Sequence, residues 1–175
     1  LYGRAAAPGS QQWTASFAGD IRSNFIGLQS ALNGALNLGA CGFAVWGSDL
    51  GGFKGWPDPL VYIRWTQFSC FSPLMRAHGT QAREPWEYGD LALENYKKFA
   101  WIRENLLDYI YNEAETSHLT GVPMMRPLAM EYAKEKRLTS VSDQYMFGSN
   151  LLVAPIMSES NQRTIEFPSG NWSCL

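Results

Sequence analysis

The chain has 175 residues and a formal net charge of −2, with no Lys/Arg run and no basic stripe, which argues against nucleic acid or an anionic membrane as partner. No apolar stretch approaches the roughly 18 residues of a membrane span, and Cys41, Cys70, Cys174, His78 and His118 show neither a disulfide framework nor metal-ligand spacing. Charged residues make up 17%, below the roughly 25% of an ordinary soluble domain, while aromatic residues reach 14%, so much of the surface is buried or lines a site.

Residues 1–10 read as the end of a strand running into Pro8-Gly9-Ser10. From Gln11 to Phe17 the chain alternates, with Trp13, Ala15 and Phe17 on one side, and this predicts a strand. Phe25, Leu28, Leu32, Ala35 and Leu36 then fall at helical spacing, with Gly39 closing the run. Asp20, in Phe17-Ala18-Gly19-Asp20, therefore sits in a strand-to-helix loop, where an aspartate caps the helix, holds a turn or acts on a substrate.

Cys41-Gly42-Phe43-Ala44-Val45-Trp46 is a nearly continuous apolar run that predicts a buried parallel strand ending in Gly47-Ser48-Asp49. The loop Gly51-Gly52-Phe53-Lys54-Gly55-Trp56-Pro57 is either a tight turn or a site wall lined by Phe53 and Trp56. It is not a phosphate cradle, since no Gly-Lys-Ser/Thr follows. Asp58-Pro59 supplies an N-cap and a first helical proline for a helix carrying Leu60, Ile63 and Phe68, which stops before Ser72-Pro73. Leu74 to Gly79 reads as a short strand ending in Arg76 and His78.

Asp90 is expected to cap the longest helix, with Tyr96, Phe99, Ala100, Leu106, Leu107, Ile110 and Ala114 on its core face, ending at Gly121-Val122-Pro123. Met124 to Lys136 reads as a connector. Beyond Asp143 strand signals dominate, at Leu151–Met157 and Thr164–Phe167, with a turn at Pro168-Ser169-Gly170. These segments predict an α/β chain with a domain boundary near Pro123: residues 1–123 as the C-terminal half of a (β/α)8 TIM barrel, and residues 124–175 as a connector and the start of a β-sandwich domain cut short. A whole barrel takes roughly 250 residues, so the barrel expected here is partial, and the start at Leu1 reads as processing or as a piece of a longer protein. Three strand-like segments finish in Asp20, Asp49 and Arg76/His78, the polar tips of a barrel seen from its C-terminal face.

Six ordered stretches resemble glycoside hydrolase family 31, the retaining α-glucosidases and α-xylosidases. They are Phe17-Ala18-Gly19-Asp20, Gly47-Ser48-Asp49-Leu50-Gly51-Gly52-Phe53, Arg64-Trp65, Pro73-Leu74-Met75-Arg76-Ala77-His78, Pro123-Met124-Met125-Arg126-Pro127-Leu128 and Leu151-Leu152-Val153-Ala154-Pro155. The resemblance implies that Asp20 is the general acid/base and that Arg4 contacts the sugar. It implies that Asp49 and Phe53 line the pocket for the reacting sugar, and that Arg76 and His78 form the Arg-x-His at the last barrel strand, whose histidine bonds a sugar hydroxyl. The family's nucleophile is an aspartate on an earlier strand, and nothing in this chain matches it. Most members carry Trp at the place of Phe17, so an indole N–H donor is lost beside the acid.

The resemblance further implies a carbohydrate substrate with a terminal, non-reducing α-linked sugar, such as an α-glucoside or α-xyloside, no cofactor and no metal, and the remainder of the parent barrel as structural partner. By itself the 175-residue chain is expected to be inactive. Burial beside Phe17 and the nucleophile's charge would hold the Asp20 proton, while Arg4 would release it. Two other readings stay open: an α-glucan lyase of the same family and a non-catalytic sugar-binding homologue. Without the resemblance, Asp49 and Arg76 are as readily an ion pair that only holds the fold, and His78 a core histidine.

Overall fold

The computed structural model describes residues 2–3, 7, 9–12 and 15–175. Among them, four parallel strands stand side by side in chain order: β1 (Tyr2–Gly3), β2 (Ala15–Phe17), β3 (Trp46–Asp49) and β4 (Leu74–Arg76). Helix α1 (Phe25–Ala40) carries the chain from β2 to β3, and α2 (Pro59–Cys70) from β3 to β4, the helical crossovers that parallel pairing requires. The register sets Phe17 beside Gly47 and Asp49 beside Arg76, so the last residues of β2, β3 and β4 come out along one edge.

Helix α1 buries Leu28, Ala31, Leu32, Ala35, Leu36 and Gly39, the face its spacing predicts. With Trp46, Val61, Trp65 and Phe68 they form the main core, where each large side chain is worth about 1.5–3 kcal/mol of burial. The cap of α1 is Asn24, whose side chain accepts from the Gly27 amide at 2.8 Å. Asp20 is thus not the helix cap. Asp58 caps α2 as read, accepting from Leu60 N–H at 2.9 Å.

Several strands differ from expectation. The strand expected over 11–17 is confined to Ala15–Phe17, because Ser10–Gln12 turns as a 3-10 helix; Trp13 and Thr14 lie outside the described residues. The strand expected at 41–46 runs instead from Trp46 through Asp49. Cys41 still caps α1, and Gly42, at φ 88°, turns the chain, so most of the apolar run is spent in the connection. The small Gly47 then suits the strand: a Cβ there would meet Leu74 Cβ at 2.7 Å and Phe17 Cε2 at 2.9 Å. The neighbouring Ser48 is satisfied by the indole N–H of buried Trp65, at 3.1 Å.

The long helix expected after Asp90 is two, α3 (Asp90–Asn105) and α4 (Leu107–Thr120), broken at Leu106 with φ −95° and ψ 0°. The backbone of Gly89, at φ 85°, precedes it, and Asp90 makes no capping bond but opens the first turn. The break leaves Leu107 exposed rather than in the core face, while Ile110 is buried. Arg103 of α3 donates to the carbonyls of Cys70 and Pro73, at 2.8 and 2.7 Å, and so closes the C-terminal end of α2.

The expected connector at 124–136 holds ordered elements, β5 (Met125–Pro127) and the short α5 (Leu128–Glu131). Strand β5 pairs with β6 (Tyr145–Phe147), and β6 with β7 (Leu151–Val153), in an antiparallel sheet of three. Its Met125, Tyr145, Phe147 and Val153 join the main core with α1 and α2. Bare Gly39 lets this sheet approach α1, since a Cβ there would meet Met125 O at 2.8 Å. Residues 164–167 are not a strand; the Gln144 side-chain amide takes the place of a neighbouring strand, accepting from Glu166 N–H and donating to Glu166 C=O, both at 2.9 Å.

Candidate active site

Asp49 and Arg76, the last residues of β3 and β4, face each other in register. The Arg76 guanidinium donates to Asp49 Oδ1 through Nη2 at 2.6 Å and Nε at 3.0 Å, and its carbon lies 4.0 Å from the centre of the Phe17 ring. Asp49 is only 3% exposed and Phe17 4%, whereas the Arg76 side chain is 33% exposed. A carboxylate this deeply buried requires its cation. The cation in turn is stacked on the aromatic face of Phe17.

Asp20 lies three residues past β2, exposed, in a bend that is tied down on both sides. Ile21 N–H donates to Gly19 C=O at 2.8 Å, and Ile21 C=O accepts from Phe53 and Lys54 N–H at 2.8 and 2.9 Å. Arg22 and Lys54 continue this as an isolated parallel bridge. The loop that bears Asp20 is therefore sewn to the loop that bears Phe53. Burial of Asp20 beside Phe17, expected from the sequence, is not found; Phe17 is covered by Arg76 instead.

The loop after β4 closes the group. His78 is exposed, with its ring 5.6 Å from that of Phe53, and Thr80 N–H donates to Phe53 C=O at 2.8 Å. Phe17, Asp49, Arg76, Phe53 and His78, together with the Asp20 loop, thus stand at the C-terminal ends of consecutive parallel strands. Arg4 lies outside the described residues. Sequence reasoning passed over Arg83, which is 4% exposed and, among the described residues, forms no salt bridge to a carboxylate; a lone arginine in Thr80-Gln81-Ala82-Arg83-Glu84 carries no periodic signal that sets it apart.

A cleft of about 480 Å³, lined by Val45, Leu74, Arg103, Leu107 and Ile110 among others, opens near the N-terminal ends of β3 and β4, the opposite end from Asp49 and Arg76. It is mostly apolar and does not include Asp49 or Arg76. Among the described residues, no three His, Cys, Asp or Glu side chains gather to hold a metal ion.

The arrangement offers a carboxylate in a loop, a fixed guanidinium, an imidazole and an aromatic wall. Such a set can grip hydroxyls and an apolar sugar face while one carboxyl group moves a proton.

Comparison with known proteins gives this geometry a context. Residues 1–113 match the glycosyl hydrolases family 31 TIM-barrel domain, and residues 121–175 the family 31 C-terminal domain. An alpha-xylosidase of Emericella nidulans is 37% identical over 169 residues, covering 96% of this chain and 22% of that protein. Alpha-glucosidase 2 of Bacillus thermoamyloliquefaciens is 37% identical over 176 residues, covering 98% and 22%. The solved structure of a GH31 alpha-xylosidase from a soil metagenome, complexed with xylose, superposes with a TM-score of 0.87 at 33% identity, covering 93% of this chain and 28% of that one. The chain thus spans about a fifth of the length of these curated relatives. On its sequence and its fold alike, the chain belongs to glycosyl hydrolase family 31, a family of glycoside hydrolases.

Proposed function

We propose that the chain supplies the acid/base side of a retaining α-glycosidase site, and that the attacking carboxylate comes from a strand outside it. The observation that carries this reading is the convergence of Asp49, Arg76 and Phe17 with the loops of Asp20, Phe53 and His78 at one end of the parallel sheet. The names of the relatives, alpha-xylosidase and alpha-glucosidase, support a terminal α-linked glucose or xylose as substrate. In this reading residues 1–123 are the C-terminal half of the barrel and residues 124–175 begin a β-sandwich. The four-stranded parallel sheet and the share of each relative that the chain covers support that division.

In a retaining enzyme two carboxyl groups lie roughly 5–5.5 Å apart across the scissile bond. One attacks the anomeric carbon and expels the leaving oxygen. Asp20 gives that oxygen its proton, then removes a proton from the water that opens the glycosyl–enzyme ester. His78 and Arg76 hold sugar hydroxyls, Arg76 kept in place by Asp49, and Phe53 packs against the apolar edge of the ring. Arg4 is assigned a sugar contact on the family resemblance.

The test is hydrolysis of aryl α-glucoside, α-xyloside and α-galactoside by the full-length protein beside its Asp20→Ala variant. One substrate should turn over, and the variant should lose it by roughly 10²–10⁴-fold. An unchanged rate in the variant removes Asp20 from the chemistry, and sugar binding without turnover makes the protein a non-catalytic binder. A second reading, transfer of the glycosyl group to another sugar, is favoured by an isomaltosyltransferase of Sporosarcina globispora, 36% identical to this chain. It shares the first half-reaction, and longer oligosaccharides among the products would identify it.

A further inference from the structure

The Arg83 side chain sits where the three loops after β2, β3 and β4 meet, and among the described residues each acceptor of its hydrogen bonds comes from one of them or from the turn that follows. From the first loop, Ser23 Oγ accepts from Nη2 at 3.1 Å. From the second, Gly52 C=O accepts from Nε and Nη2 at 3.1 and 2.9 Å, and Gly55 C=O from Nη2 at 2.8 Å. Within its own loop, Ala82 C=O and the Tyr88 hydroxyl accept from Nη1 at 2.9 and 3.2 Å. Among the described residues, no carboxylate pairs with it. A buried guanidinium is costly unless all its donors are met, so this cation is stable only while the acceptors from all three loops stay where they are.

The same guanidinium touches the functional loops at their working residues. It lies so close beneath Gly79, the neighbour of His78, that a Cβ there would meet Arg83 Cζ and Nη2 at 2.7 Å. It also reaches Phe53 C=O at 3.4 Å, the carbonyl to which Thr80 donates. Its own backbone is fixed from below, since Arg83 C=O accepts from the Tyr62 hydroxyl at 2.8 Å, and the Tyr62 ring stacks on Tyr88 with centroids 4.2 Å apart.

We propose that Arg83 is a positioning residue for the sugar pocket: one buried cation clamps the three loops that carry Asp20, Phe53 and His78 and so sets the spacing of those side chains. The proposal rests on the α-glycosidase reading for its effect on catalysis, but not for the clamp itself. Lysine cannot replace the arginine, because an ammonium presents three donors at one point and has no planar fork to span loops on opposite sides.

The experiment compares the full-length protein with its Arg83→Lys and Ser23→Ala variants by amide hydrogen exchange and by kinetics on the aryl α-glycoside it hydrolyses. In Arg83→Lys, exchange at the Ser23, Phe53 and Thr80 amides should accelerate together, on the order of tenfold. Its kcat/KM should fall roughly 10–10²-fold, mainly through KM, because Phe53 and His78 grip the bound sugar. Ser23→Ala removes one acceptor and is expected to fold even where Arg83→Lys does not. It should accelerate exchange at Ser23 and raise KM by about two- to threefold. A folded Arg83→Lys that is less heat-stable but keeps KM and all three protection factors makes the arginine merely structural and overturns the proposal, as does a Ser23→Ala variant unchanged in both readouts. If the wild-type protein hydrolyses no α-glycoside, the functional reading fails, and the exchange data alone decide the clamp.

Discussion

Asp49 shows how one side chain serves the fold and the site together. It is buried at a strand end, and its charge is met by a guanidinium that is also stacked on Phe17. Asp49→Asn keeps the shape but removes the charge, and should cost roughly 1–3 kcal/mol in a denaturant titration, less than a fully buried pair because a third of Arg76 remains in water. On the proposed reading, in which Arg76 meets the sugar, the loss in kcat/KM should be larger than that in stability, because Arg76 loses the carboxylate that fixes it; equal losses would mean that the pair only holds the fold. Phe17 is wedged between Arg76 and Gly47. A Phe17→Trp exchange should therefore destabilise by roughly 1–3 kcal/mol through overpacking and change the ranking of aryl α-glycosides, and an unchanged ranking would remove Phe17 from substrate choice.

At the scale of elements, the parallel strands are short and rely on the helices that cover them. Cys70, the last residue of α2, is wholly buried, with its Sγ 3.3 Å from Phe99 C=O of α3. Burial pushes its thiol up to about 11, against the opposing pull of Arg103. The folded chain therefore keeps this proton after the unfolded chain has released it near the ordinary thiol value of about 8.5. Stability from this source is complete below about pH 8.5 and is lost as pH rises through about 11, on the order of 3 kcal/mol in all. Burial also raises the hydroxyls of Tyr62 and Tyr145, which carries the loss to higher pH. Urea midpoints at pH 7, 9 and 10.5 should fall more steeply for wild type than for Cys70→Ala; parallel slopes would show that Cys70 plays no part.

For the whole molecule, the open sheet matters most. Among the described residues, strands β1 and β4 have one neighbour each, so the described sheet has two unpaired edges. On the α-glycosidase reading proposed above, in which the nucleophile lies outside this chain, the 175-residue chain alone should be inactive and of low stability, and a longer protein that also carries the missing barrel strands should turn over. Measurable hydrolysis by the purified chain would contradict this. The antiparallel sheet of β5 to β7 gains more from association: its Tyr145 and Phe147 pack into the same core as Phe68 and Leu36, so truncation before Met124 should expose that face and lower the solubility of what remains.

Much was decided by residues acting on their near neighbours. The 3.6-residue spacing of Leu28, Leu32 and Leu36 determines which face of α1 is buried, Asp58-Pro59 determines where α2 starts, and the ordered motifs place the polar tips on consecutive loops. These are local effects of backbone geometry and side-chain burial, written within a few residues. What only the tertiary structure decided depends on residues far apart in the chain. The β3 strand is shifted to Trp46–Asp49 because Gly47 fits between Phe17 and Leu74, and neither neighbour is visible from position 47. Asp49 meets Arg76 because two strands pair in one register, and Asp20 is exposed because Arg76, not the carboxylate, covers Phe17. Arg83 has no local signature at all, since its acceptors are backbone carbonyls and hydroxyls brought together by three separate loops. Carbonyls are present at every residue, so their convergence on one guanidinium is a property of the fold and not of composition or spacing.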